Sequence, residues 1–150
     1  MPELKDRLRT DLTTAMKARD ELRTATLRMV LAAVTAEEVA GKEARELSDD
    51  EVQAVLRREA KKRREAAEAF AGAGRAAQAE REQAEEGIVA GYLPAQLEDA
   101  DLVAIVADVV TRTGASGMKD MGKVMGAVQA AVTGRAEGGR VAAEVRRQLG

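Results

Sequence analysis

The sequence has no cysteine and no histidine among its 150 residues. Without cysteine there are no disulfides, no thiolate zinc sites and no thiol nucleophiles. Without histidine the commonest general base and metal ligand is missing. Few of the usual catalytic groups are left, so we expect no catalytic residues, no metal and no cofactor in this chain.

Aromatic residues are almost absent, with one phenylalanine (Phe70) and one tyrosine (Tyr92), although 45% of the residues are apolar. A core must therefore be made of Ala, Leu, Val and Met. Such side chains suit closely packed helices better than a sheet, where aromatic and β-branched residues are favoured. The composition predicts an all-α fold.

Long apolar runs are also absent. No segment approaches the roughly 18 to 20 apolar residues of a membrane span. The N-terminal residues MPELKDRLRTDL mix charges where a signal peptide needs an apolar run. We expect a cytoplasmic protein.

The net charge of −2 hides an uneven distribution. Residues 1–93 hold 17 Lys and Arg against 19 Asp and Glu, whereas residues 115–150 hold 6 against 3. The C-terminal third is locally basic and suits a polyanionic partner.

Apolar residues recur every three or four positions in the N-terminal part, which predicts helices with one buried face. The first two stripes are Leu4, Leu8, Leu12, Ala15 and Met16, then Leu22, Thr26, Met29 and Ala33. The third helix has the strongest start signal: Ser48 as N-cap, Glu51 completing a capping box, and Leu47 packing against Val52. A fourth helix is predicted from about Arg75 to Ala90.

The third helix carries the basic segment KKRR, residues 61–64. An acidic segment, EREQAEEG, follows in the next helix, so the pattern favours helix-to-helix ion pairs. A nucleic-acid footprint is the alternative, but no aromatic residues interleave for base stacking.

The segment GYLPAQLEDADL predicts a domain boundary, because Pro94 disfavours helix at Leu93 and Gly91 can end one. We therefore predict an N-terminal helical domain, 1–93, and a small three-helix domain, 94–150. Its helices are expected to start at Glu98 or Asp99 and at about Lys119 and Gly139.

The segment GMKDMGKVMG, residues 117–126, mixes three features. Helical spacing predicts that Met118, Met121 and Met125 face the core. Gly122 and Gly126 each cost about 0.5 to 1 kcal/mol in a helix, which suggests a surface for close approach. A neighbouring helix is the favoured explanation and a ligand the other.

Four cations lie near these glycines in sequence: Lys119 and Lys123 beside them, then Arg135 and Arg140 around the turn GRAEGGR. Together with the N-terminus of the last helix, they would form a phosphate-binding surface. A solvated basic face is the alternative.

Ser116 and Lys119 match the Ser-x-x-Lys pattern of some acyl-serine enzymes, but the companion motifs are missing. An amidase or amidotransferase acting through these residues is therefore the least favoured reading.

Several segments together resemble the GatB/YqeY family over residues 3–149. They are LKDRLRTDLTTAMKARDELRTATLRMV, SDDEVQAVLRREAKKRREAAEAF, YLPAQL, KDMGKVMGAV and GRAEGGRVAAEVRRQL. The resemblance implies two helical parts joined near Tyr92-Leu93-Pro94. The second part is similar to the tail domain of the B subunit of the tRNA-dependent amidotransferase.

In that enzyme the tail helps to hold tRNA, while amide transfer takes place elsewhere. The family association with carbon-nitrogen ligase activity, using glutamine as amido-N-donor, therefore does not imply catalysis by this chain. Carried over to this sequence, the tail's matching positions are residues 119–125, Gly134 and Arg135. Glu137 stands where the family more often has Asp, which is a better N-cap.

Two functions compete. The first is a non-catalytic module that binds tRNA or a tRNA-processing or aminoacylation complex, such as the amidotransferase. The second is a helical adaptor whose Gly122 and Gly126 surface docks a protein partner.

Overall fold

The computed structural model describes residues 3–150, which form helices and turns and include no strand. The predicted all-α class is confirmed. The chain packs as two compact units, Met1–Leu93 and Pro94–Gly150, each with its own apolar core. The division into an N-terminal helical domain, 1–93, and a three-helix domain, 94–150, stays a prediction. Within residues 3–150, no helix has both the length and the apolar composition needed to cross a bilayer.

The N-terminal unit contains four helices: α1 (Glu3–Lys17), α2 (Glu21–Glu38), α3 (Asp49–Gly72) and α4 (Ala76–Ala90). Its core is formed by the apolar stripes of α1, α2 and α3, closed by Val89 and Tyr92. Met16 is the exception to the predicted stripe, with 48% exposure. Steps of four residues drift by about 40° around a helix of 3.6 residues per turn, so Met16 lies past the buried edge.

The predicted start of α3 is confirmed in detail. The Ser48 hydroxyl accepts a hydrogen bond from the Glu51 amide at 3.2 Å, and Glu51 Oε1 accepts one from the Ser48 amide at 3.2 Å. Leu47 and Val52 are both fully buried in the same core. The capping box therefore fixes where the chain enters α3.

A buried ion pair ties α1 to the end of α2. Lys5 Nζ donates to both Glu38 carboxylate oxygens, at 2.7 and 2.8 Å, and the two side chains are only 10% and 12% exposed. Glu38 Oε2 also accepts a hydrogen bond from the Leu47 amide at 3.3 Å. The hydrogen bonds from Lys5 hold the pKa of the Glu38 carboxyl below its usual range. The Glu38 carboxylate thus holds α1 and α2 together and also holds Leu47, which packs over the start of α3.

The end of the N-terminal unit is tied to α1 in a similar way. The hydroxyl of Tyr92 donates to Asp11, and the Arg7 guanidinium lies over the Tyr92 ring, 4.7 Å from its centroid. Burial, assisted by the hydrogen bond to Asp11, raises the pKa of Tyr92 to about 12. Tyr92 is therefore a protonated hydrogen-bond donor at neutral pH.

The KKRR segment forms ion pairs between helices, as its charge pattern favoured. Arg63 lies 3.4 Å from Glu85 and 3.9 Å from Glu82 on α4, and Arg64 lies 3.0 Å from Glu86. Glu82 Oε2 is buried without a hydrogen-bond partner among the described residues. Burial and the neighbouring Glu85 raise the pKa of the Glu82 carboxyl. Glu82 is the least compensated charge of this network.

The C-terminal unit contains three helices and a short 3₁₀ turn. They are α5 (Asp99–Thr113), the 3₁₀ turn (Met118–Asp120), α6 (Met121–Val132) and α7 (Gly138–Leu149). Its core is rich in valine, with Leu97, Val106, Val124, Val128 and Val145 among its buried members. Such short side chains let the three helices pack closely.

Replacing Lys5 by Met should lower the free energy of unfolding of the N-terminal unit by roughly 2 to 3 kcal/mol at pH 7, because a nearly buried carboxylate loses its charged partner. Urea unfolding followed by the fluorescence of Tyr92, the only tyrosine, measures this unit. Because the pair lowers the Glu38 pKa, the contribution of the pair to stability is complete above the ordinary glutamate pKa of about 4.3 and is lost as the pH falls through the lowered value.

Arg58→Met, which breaks the exposed pair with Glu37, is the control and should cost less than about 1 kcal/mol. Equal losses in the two variants would contradict the assigned role of Lys5.

Replacing Glu82 by Gln should raise the stability of the same unit at pH 7, by about 1 kcal/mol, since it removes the charge of a carboxylate whose buried Oε2 has no hydrogen bond and lies 3.9 Å from Arg63. The pKa of Glu82 is raised in the folded protein, so the contribution of this group to stability is most favourable below the ordinary glutamate pKa and is lost as the pH rises through the raised value. The gain should therefore shrink toward pH 4. Glu80→Gln, an exposed position on α4, is the control. A destabilised E82Q protein at pH 7 would show that the Glu82 charge is needed.

Candidate nucleic-acid interface

Helix α6 has a buried side that carries its valines. Val124, Val128 and Val132 are at most 2% exposed, and Met121 and Met125 pack partly buried against the same core. These two methionines face the core as predicted. The prediction for Met118 is wrong, because this residue is 48% exposed. Met118 lies in the 3₁₀ turn, where three residues per turn break the spacing of the α-helix.

The 3₁₀ turn displaces the start of α6 from Lys119 to Met121. The Asp120 amide donates to the Gly117 carbonyl at 3.0 Å, and the Asp120 carboxylate accepts from the Ser116 amide at 3.0 Å. Asp120 thus holds the turn. No hydrogen bond joins the side chains of Ser116 and Lys119, both described, so the structure does not assemble a Ser-Lys pair.

The solvent side of α6 carries a stripe of small residues, called here the bare surface, next to the exposed Gln129. Gly122, Gly126 and Ala130 follow at four-residue spacing and all three are exposed. A Cβ added to either glycine would meet no atom within 4 Å outside the local helix backbone. Neither glycine has a positive φ. The neighbouring-helix explanation is therefore wrong within this structure, and neither backbone conformation nor internal packing requires glycine here.

Two lysines flank this bare surface at its N-terminal end. Lys119 lies exposed in the 3₁₀ turn and forms no ion pair or hydrogen bond with the described residues. Lys123 is exposed in the first turn of α6 and donates to the Thr113 carbonyl at 3.3 Å. Both ammonium groups are open to solvent and available to an anion.

Arg135 lies beyond the other end of α6. The helix ends at Val132, and the rise of 1.5 Å per residue places Val132 about 14 Å from Lys123 along the helix axis. The phosphate-binding surface expected of the four cations stays a prediction. Lys119, Lys123 and Arg135 lie at the two ends of the bare surface of α6, a spacing that suits an extended anion better than a single phosphate group.

The turn between α6 and α7 is strained and held from outside. Thr133 has φ 24°, which is unusual for a β-branched residue, and Gly134 has φ 74°. The Arg135 carbonyl accepts a hydrogen bond from the Leu97 amide at 2.7 Å. The Gly134 carbonyl accepts one from the Gln96 side chain at 3.2 Å. The first residues of the C-terminal unit thus bind this turn.

Arg140 belongs to the same arrangement. Its guanidinium donates to the Leu97 carbonyl at 2.9 Å and to Asp99 Oδ1 at 2.9 Å, and its side chain is 33% exposed. Its predicted role as a phosphate contact conflicts with this pairing, because an anion would have to compete with Asp99. Sequence could not show this, since the partner lies 41 residues away.

Helix α7 begins at Gly138, one residue earlier than predicted, with Glu137 in the N-cap position. Glu137 makes no side-chain hydrogen bond to the backbone amides of the first turn. A glutamate side chain is too long to cap the helix well, whereas an Asp, which the family more often has here, is a better N-cap.

Sequence reasoning missed two participants in this surface. Ala130 extends the bare side of α6, and its spacing from Gly126 was a usable signal. Asp99, which holds Arg140, was considered only as a helix start. Within residues 3–150, no group of three or more acidic residues is arranged to hold a metal ion.

Comparison with known families gives one result and one absence. A family model described as Yqey-like protein matches residues 5–149. A search of curated proteins found no significant match. Because the model spans almost the whole chain, the protein belongs to the YqeY-like family.

Proposed function

We propose that this chain is a non-catalytic module of the cytoplasm that binds tRNA, or a tRNA-amidotransferase complex, through the bare surface of α6. The surface is defined by Gly122, Gly126 and Ala130, with Lys119 and Lys123 at one end and Arg135 at the other. The main observation in support of this proposal is that both glycines are exposed with open space above them. Each lowers helix stability by about 0.5 to 1 kcal/mol, so an approach from outside the chain is the explanation that remains.

The chemistry of the surface suits a phosphate backbone. A stripe of small residues allows a close approach, and cations at the two ends of α6 can contact successive parts of a polyanion. Base stacking is not supported, since Tyr92 is buried and Phe70 lies in the other unit. Recognition would therefore follow the shape and the phosphates of RNA.

The resemblance of residues 119–125, Gly134 and Arg135 to the tail of the amidotransferase B subunit supports the choice of tRNA among polyanions. The family association with glutamine-dependent carbon-nitrogen ligase activity is consistent with a role beside that enzyme. The proposal assigns no step of amide transfer to this chain.

The triple variant Lys119→Ala, Lys123→Ala, Arg135→Ala should weaken tRNA binding by at least tenfold at low salt. The slope of log K against log salt should fall by about 2, since each lost phosphate contact removes about 0.7 to 0.9. Fluorescence anisotropy with a labelled tRNA transcript between 50 and 200 mM KCl, a range of about fourfold, measures both quantities.

The charge-matched control is Arg28→Ala, Arg57→Ala, Lys61→Ala, which removes three cations of the N-terminal unit that have no partner among the described residues. Its tRNA affinity should stay close to that of the wild type. If the control loses as much affinity as the test variant, binding follows net charge or the KKRR helix, and the α6 surface is wrong.

A protein-docking role is the second candidate, favoured by the 48% exposure of Met118 beside the same lysines. Gly126→Leu would block either partner, and Ala104→Leu, at an exposed position on α5, is the matched control. Affinity capture from a lysate, with and without nuclease, distinguishes the two. A protein that is lost only with Gly126→Leu and retained after nuclease treatment would support docking. Loss of tRNA binding by Gly126→Leu alone would support the RNA role.

The double variant Gly122→Ala, Gly126→Ala should raise the thermal stability of the C-terminal unit, because the added methyl groups enter open space and improve helix propensity by about 1 to 2 kcal/mol in total. Circular dichroism melting measures the effect. A less stable variant would mean that the glycines have an internal role, which would remove the main support for the proposed surface.

A further inference from the structure

We infer that Arg140 is a positioning residue that, through Asp99 and the Leu97 carbonyl, holds the turn between α6 and α7 in its strained form and so places Arg135. This inference rests on the proposed function, because Arg135 is one of its RNA contacts. It replaces the expectation that Arg140 itself binds phosphate.

The first step is the clasp between the start of the C-terminal unit and the turn. Two hydrogen bonds run from the start of the unit to the turn, from Leu97 N–H to the Arg135 carbonyl and from Gln96 to the Gly134 carbonyl. A third runs from Arg140 to the Leu97 carbonyl. Leu97 is 6% exposed and belongs to the core, so one end of the clasp is anchored.

The second step is the strain in the turn. A β-branched residue at φ 24° is strained and persists only where its surroundings impose this conformation. Local bonds from Thr133 Oγ1 to the Ala130 carbonyl and from the Arg135 amide to the Val132 carbonyl contribute. The long-range restraint comes from residues 96–99 and Arg140. Releasing Arg140 should therefore let the turn relax and Arg135 move.

The third step is the pair of contacts that Arg140 makes with Asp99 and Leu97. Its guanidinium is bound to a carboxylate oxygen at 2.9 Å, although Asp99 itself is 96% exposed in its side chain. An exposed aspartate would gain little from a surface pair alone. The second bond, to the partly buried Leu97 carbonyl, makes the pair geometrically specific and directs the guanidinium toward the clasp.

The two roles of Arg140 predict opposite effects of Asp99→Asn. If Arg140 binds phosphate directly, removing the carboxylate frees it and tightens tRNA binding. If Arg140 positions the turn, the weakened clasp loosens tRNA binding. Asp101→Asn is the matched control, because it removes an exposed carboxylate from the same first turn of α5 without touching Arg140.

Binding of a labelled tRNA transcript to the full chain tests this. We expect Asp99→Asn to bind about fivefold more weakly than Asp101→Asn, which corresponds to one ordinary hydrogen bond. The salt slope should fall by less than about 1, since Arg135 is the only phosphate contact that the turn displaces. Arg140→Lys should recover part of the affinity lost in Arg140→Gln, because lysine can still donate to Asp99. Tighter binding by Asp99→Asn than by Asp101→Asn would overturn the inference.

Amide hydrogen exchange of Leu97 and Arg135, measured by NMR without RNA, gives an independent readout. Exchange should rise in Asp99→Asn and Arg140→Gln and not in Asp101→Asn. Unchanged exchange in the first two variants would refute the clasp whatever the RNA result. Raised exchange in a protein whose wild type binds no tRNA would refute the proposed function and leave the clasp in place.

Discussion

The contact between Lys5 and Glu38 shows the constraint under which this protein folds. With one tyrosine and one phenylalanine, the cores consist of short aliphatic side chains that pack closely but slide against one another more easily than large rings do. The register of the helices must then come from directional polar contacts. In the N-terminal unit a single carboxylate receives the Lys5 ammonium and the Leu47 amide, and so fixes two helices and the entry to a third.

The C-terminal unit meets the same constraint with Arg140. Its valine-rich core fixes which sides of α5, α6 and α7 are buried, but the hydrogen bonds of Arg140, Leu97 and Gln96 fix the turn that joins the last two helices. Both units thus use one long cationic side chain, bound to a carboxylate and close to a buried leucine. Burial of the leucine makes the polar contact specific, since its backbone group cannot exchange freely with water.

Local signals in the sequence were sufficient for most of the fold. The capping box of Ser48 and Glu51 depends on residues three apart, and the apolar stripes depend on spacing within one helix, so both could be predicted without tertiary information. Met118 was misassigned because the 3₁₀ turn changes the helical phase just before α6. The pairing of Arg140 could not be predicted, because its partners lie 41 and 43 residues away and charge alone does not distinguish a phosphate contact from an internal ion pair.

The glycines of α6 show what the structure adds to such a pattern. From sequence, a neighbouring helix was the favoured explanation of Gly122 and Gly126, and an external ligand was the other. The open space above both positions removes the first explanation, while leaving the energetic cost of each glycine in place. Nothing in the backbone dihedrals compensates for that cost, because neither residue has a positive φ. A helix that keeps two destabilising residues on its exposed side, between lysines at one end and an arginine at the other, is therefore the feature on which the proposed function rests.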